Sequence, residues 1–132
     1  MSTERKDLNL EYFHGNEAEQ HSYFRIPKLL MTDSRFAGVS IEAKMLYGLL
    51  LDRMGLSVKN NWRDDEGRVF VYYSLNETMR ELGCRHEKAT RLFKQLDIAE
   101  GVGLIERKSV KIGKAKRIYD KNFASGCELP AK

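Results

Sequence analysis

The chain has 132 residues, 42% of them hydrophobic and 10% aromatic, with 23 Lys+Arg against 19 Asp+Glu and a net charge of +4. That is enough for one core and too little for two, and too apolar for disorder throughout. No run approaches the roughly 18 apolar residues of a spanning helix, and the start Met1-Ser2-Thr3-Glu4-Arg5-Lys6 lacks an apolar signal core. A soluble cytoplasmic protein is the expectation, with no membrane partner. Cys84 and Cys127 lie far apart and outside metal-ligand spacing, which excludes a disulfide framework and fits a reducing compartment.

Residues 1–21 lack sustained periodicity and carry a net −3 over the first twenty positions. They read as a flexible acidic arm in which Tyr12 and Phe13 can anchor locally. Tyr23-Phe24-Arg25-Ile26-Pro27 reads as a short extended run, continued by Lys28-Leu29-Leu30-Met31 as an edge segment that covers something larger. Ser40 is an N-cap for a helix from Ile41, with Ile41, Met45, Leu46, Leu49 and Leu50 on one face and Gly55 as its stop. Asn60 to Arg68 is turn-rich, with Trp62 as a lid on an apolar edge or a base-stacking ring. Val69-Phe70-Val71-Tyr72-Tyr73 is a β-branched and aromatic strand.

Ser74-Leu75-Asn76-Glu77 has the spacing of a capping box and opens a short helix that ends at Gly83. Cys84-Arg85-His86-Glu87 opens the next helix, whose apolar positions Ala89, Leu92, Phe93, Leu96 and Ile98 recur at three and four. Residues 85–95 carry a net +3. Leu104 to Val110 and Lys116 to Asp120 then form a β-hairpin with a lysine-rich tip, and residues 104–121 carry a net +5. The expected fold is therefore α+β, a winged helix-turn-helix with an N-terminal arm and a two-stranded wing.

This plan suits a DNA duplex, which offers a major groove one helix wide between dense lines of phosphate. The candidate recognition helix presents Arg85, His86, Lys88, Ala89, Thr90 and Arg91, followed by Lys94 and Gln95. Arginine can fork onto guanine, and Thr or Ala can meet a thymine methyl. Ser74, Asn76 and the free amides at the preceding helix start can take a phosphate. Lys111, Lys114, Lys116 and Arg117 place the wing along the backbone or in the minor groove. Arg107 and Lys108 fall on a wing strand, either toward solvent or toward DNA. Neither a Gly-rich phosphate loop, a nucleophile elbow nor a metal-binding His pair occurs in the sequence, so no enzyme, no metal and no cofactor are expected. A Cys84-x-His86 pair lacks the two further ligands of a zinc site.

The blocks Tyr23 to Lys28, Ser40 to Arg53, Gly103 to Lys108, Gly113-Lys114, Ile118-Tyr119 and Lys121-Asn122-Phe123 together resemble the N-terminal domain of the plasmid replication initiator protein A family of Gram-positive bacteria, a likeness that spans about residues 22–123. It implies a winged-helix domain that binds iterons, the repeated sequences of a plasmid origin, usually as a dimer. It also implies a C-terminal domain that recruits host replication proteins, which would lie beyond the linker expected at 124–132. The sequence departs from the family at Ala115, where the family often has Pro, and at Asp120, where it often has an apolar residue. Two rival functions share parts of the pattern: a winged-helix transcription regulator, and a protein-interaction module whose basic face meets an acidic partner. An apolar edge at Tyr23 to Met31 is the candidate dimer contact.

Overall fold

A computed structural model of the protein describes residues 8–15 and 21–122. The linker expected at 124–132, with Cys127, lies outside them, as do Phe123 and parts of the arm. The described residues of the arm form no helix or strand and are exposed, although Phe13 sits edge-on to His21 with ring centres 6.2 Å apart.

Tyr23 to Pro27 is extended, as its composition predicts, and crosses α2 (Ile41–Lys59) at Gly48. A Cβ at that glycine would stand 3.0 Å from Ile26 Cγ1 and 3.1 Å from the Arg25 carbonyl oxygen, so a side chain there would make the crossing segment give way slightly. The expected continuation of the extended run through Met31 is corrected: Lys28–Thr32 forms a one-turn helix, α1. Pro27 sits at its N-cap with φ −61° and ψ 135°, where a fixed φ and a missing N–H cost nothing. The helical turn lets Leu30 reach full burial. A short 3₁₀ turn, Ser34–Phe36, follows.

α2 starts as the sequence predicts, the Ser40 hydroxyl accepting from the Ala43 amide at 3.2 Å. It does not stop at Gly55. It continues to Lys59, because Gly permits the left-handed conformation without imposing it. The stop comes at Asn61, whose φ is +61°. The Trp62 amide reaches back to the Ser57 carbonyl at 2.8 Å and the Asn61 amide to Val58 at 3.1 Å, the two bonds of a Schellman ending. Trp62 then packs edge-on against Tyr72, as a lid.

The predicted strand at 69–73 is reduced to single bridges, Arg63 with Val69 and Val71 with Ile118. Phe70, Val71 and Tyr73 are all buried, so this segment is held by packing on both sides more than by a ladder. α3 (Leu75–Leu82) begins with the predicted capping box: the Glu77 amide donates to the Ser74 hydroxyl and the Ser74 amide to the Glu77 carboxylate, each at 3.0 Å. Gly83, at φ +62°, ends it. α4 (His86–Leu96) buries Ala89, Leu92, Phe93 and Leu96. Ile98 is not part of that face. The helix ends at Asp97, and Ile98 is half exposed, its amide bonded to the Ile105 carbonyl at 3.0 Å.

β1 (Ile105–Lys108) and β2 (Arg117–Asp120) pair antiparallel with Arg107 opposite Ile118. Leu46, Tyr47 and Leu50 of α2, Leu92, Phe93 and Leu96 of α4, Val71, Ile105 and Ile118 share one core. The result is the expected winged helix: α2, α3 and α4 with a two-stranded wing, preceded by the one-turn α1. Among the described residues no helix is long and apolar enough to cross a membrane.

Candidate nucleic-acid interface

Burying Ala89, Leu92, Phe93 and Leu96 fixes which side of α4 faces out. Glu87, Arg91 and Lys94 lie opposite that stripe and are exposed, with Arg85 and His86 exposed at the helix start. Four of the eight predicted recognition-helix residues thus stand in solvent: Arg85, His86, Arg91 and Lys94. The other four differ. Ala89 is fully buried and is corrected to a core residue, because the i, i+3, i+4 spacing puts its methyl on the same face as Leu92, Phe93 and Leu96. Gln95 turns aside, its Oε1 accepting the Ser40 amide at 2.8 Å, so it serves the start of α2 and is corrected to a packing contact between helices. Lys88 sits on the same flank, its ammonium 2.9 Å from the Glu42 carboxylate. That hydrogen bond, first among the causes, holds the Glu42 carboxyl below its ordinary range. Thr90 is half-buried and gives its hydroxyl to the His86 carbonyl at 3.0 Å. Glu87 was not singled out by the sequence pattern, although its place three residues from Thr90 and four from Arg91 puts it on the same outer face.

The wing is tied to the end of this helix by a half-buried basic residue. Arg107 of β1 donates to the Asp97 carboxylate at 2.6 Å, and its guanidinium stands 5.4 Å from the Phe93 ring centre. Arg107 therefore sets the angle between α4 and the hairpin, while Lys108 points outward. Arg117 is half-buried at the wing base, 4.2 Å over the Phe70 ring, whereas Lys111, Lys114 and Lys116 are exposed. The tip turns where the Lys114 amide donates to the Lys111 carbonyl at 3.2 Å, with Gly113 at φ +82° in the position of such a turn that requires it.

The start of α3 meets the wing. Ser74, Leu75, Phe93, Arg107, Ala115 and Lys116 line one hollow between α3, α4 and the hairpin. Ser74, which lines it, and Asn76, in the first turn of α3, are both exposed. The capping box uses the Ser74 hydroxyl as an acceptor, leaving its proton and the Leu75 and Asn76 amides as donors at the positive end of α3. Glu77 does not cancel that end, because Arg53 holds its carboxylate at 2.7 Å and is itself fixed by the Tyr72 carbonyl at 2.9 Å and the Tyr73 ring. The α3 start and the wing residues Ala115 and Lys116 thus share one hollow, whereas Arg85 and Arg91 of α4 line a separate one with Glu42, Leu82 and Gly83. Among the described residues no group of three or more His, Cys, Asp and Glu could hold a metal ion.

A model of the N-terminus of replication initiator protein A (RepA) matches residues 22–129. The chain belongs to this family. A curated relative, a 41 kDa protein of Lactobacillus helveticus, is 30% identical over 74 residues, 56% of this chain and 21% of its own length. The chain therefore spans about a fifth of that relative. Three solved structures resemble this RepA-family fold. One is described as the N-terminal domain of a DNA-binding protein, with TM-score 0.68, 31% identity, and 86% and 85% of the two chains covered. A Rep–DNA complex gives 0.67, 31%, and 85% and 84%. A structure named as an MDR initiator gives 0.65, 29%, and 85% and 86%.

Proposed function

We propose that this RepA-family chain is the DNA-reading, non-catalytic domain of a plasmid replication initiator. α4 enters the major groove of a double-stranded iteron at the origin, the wing grips the flanking backbone, and two subunits read paired half-sites. A C-terminal region outside these residues recruits host replication proteins. The exposed basic face of α4, formed by Arg85, Arg91 and Lys94, carries the reading, and the hollow that joins the α3 start to Lys116 of the wing supports it. The likeness to a Rep–DNA complex supports it. Mechanistically, Arg91 supplies paired donors for a guanine edge, while Ser74, Asn76 and Lys114 hold phosphates and set the register.

The test is binding to duplexes selected by the protein from a random pool. If each subunit neutralises about four to six phosphates, the log–log salt slope of a dimer is about −7 to −11. Arg91→Ala changes base preference and costs about 1–3 kcal/mol on the preferred site, whereas Lys114→Ala weakens selected and random DNA alike. Affinity that does not respond to salt, or variants indistinguishable from the parent, would refute the proposal.

A further inference from the structure

At the tip of the wing stands a side chain that neither the core nor the charge pattern explains. Ile112 is fully exposed, with a relative accessibility of 102%. It occupies the outermost bend of the hairpin, between Lys111 and Gly113, where the Lys114 amide closes the turn onto the Lys111 carbonyl. Gly113 adds no side chain beside it, so the tip is narrow, and Ile112 projects from it. A branched apolar residue at such a position buries no surface within the domain, so all of its apolar area is available to a surface that covers the tip.

The surroundings say what kind of surface that is. Lys111, Lys114 and Lys116 are exposed around the tip. An apolar protein surface would bury those ammonium groups at a cost. A groove bordered by phosphates would pair with them and receive the apolar group between. With α4 in the major groove, and the hairpin locked to α4 by the Arg107–Asp97 pair, the adjacent opening is the minor groove, about 6 Å wide in B-form DNA.

We propose, resting on the DNA-binding reading above, that Ile112 is an apolar wedge that enters the minor groove beside the site read by α4. There it contacts deoxyribose and base edges, and it favours steps that open or unstack easily. The wing then contributes sequence preference by DNA deformability, and its lysines contribute affinity alone.

The experiment compares the protein and Ile112→Ser on one duplex selected from a random pool. A second duplex carries 2,6-diaminopurine in place of adenine at positions flanking the α4 site, which adds an amino group in the minor groove and leaves the major groove unchanged. The parent is expected to lose about tenfold in affinity on the modified duplex, the equivalent of one apolar side chain left uncovered. Ile112→Ser is expected to bind the unmodified duplex about tenfold more weakly than the parent and to be insensitive to the modification, with an unchanged melting temperature. If Ile112→Ser matches the parent on both duplexes while Arg91→Ala and Lys114→Ala still weaken binding, the wedge is wrong and DNA reading by the domain stands. If Ile112→Ser weakens binding but the parent ignores the modification, the tip touches DNA outside the minor groove and the proposal is overturned. If the parent itself selects no duplex, this inference and the DNA-binding reading fall together.

Discussion

Asp120 is the last residue of β2, paired across the sheet with Ile105, and neither of its carboxylate oxygens meets a hydrogen-bond donor among the described residues. Burial alone pushes its carboxyl up to about 7 from an ordinary 3.8, roughly a thousandfold in proton affinity or about 4 kcal/mol in full. The nearby Tyr47 hydroxyl does not relieve it, because it donates to the Lys121 carbonyl at 2.6 Å. That hydroxyl is itself pushed up, by burial first and by the charge of Asp120 second. A carboxyl with a raised folded-state pKa favours the fold while protonated. Its contribution is full below the unfolded value near 4 and is lost as pH rises toward 7. Between pH 5 and pH 8 the protein should lose about 2–3 kcal/mol of stability through this one group. Asp120→Asn keeps the shape and removes the titration. Urea unfolding of parent and variant across that range, followed by circular dichroism, measures the difference directly; with a typical slope of 1–3 kcal/mol per molar it moves the relative midpoint by about 1 M or more. Asp64 does not confuse the result. Burial opposes its charge, but hydrogen bonds from Arg68, Tyr119 and Glu66 hold its carboxyl down to about 2, so its contribution is lost only below pH 4. Parent and variant curves that run parallel from pH 5 to pH 8 would refute the reasoning.

Glu42→Ala should release Lys88 from its ion pair and make it available to phosphate. DNA affinity at low salt should rise and the salt slope should steepen by about 1 per subunit, as read by anisotropy titrations. Gly83→Ala should destabilise the domain by about 1–2 kcal/mol in thermal or urea unfolding. A Cβ there meets nothing within 4 Å, so the cost comes from its φ of +62° and not from a clash. The same variant should leave the salt slope of DNA binding unchanged.

The start of α3 is legible from Ser74-x-x-Glu77, and its end from Gly83, because caps and turns are settled by groups within four residues of one another. The buried stripe of α4 is legible for the same kind of reason: a period of 3.6 places Ala89, Leu92, Phe93 and Leu96 on one face whatever they pack against. Where α2 stops was not legible, since both Gly55 and Asn61 can leave a helix and only the packing of Trp62 onto Tyr72, with the bonds to Ser57 and Val58, selects the second. The helical turn at Lys28–Thr32 is likewise chosen by the pocket that receives Leu30.

The candidate site divides along the same line. By itself the sequence determined that positive charge gathers at 85–95 and 104–121, that a helix carries the first and a hairpin the second, and that the family's blocks recur from Tyr23 to Phe123. Only the tertiary structure decided which of those charges are free to act. Lys88 is held by Glu42, forty-six residues away, and Arg107 by Asp97; the neutral Gln95 is taken up by Ser40, and the acidic Asp120 is shut in with no hydrogen-bond partner among the described residues. The physical reason is that the energy of a charge depends on its solvation and on neighbours within a few ångströms. Those neighbours come from segments that chain order leaves far apart and that only packing brings together.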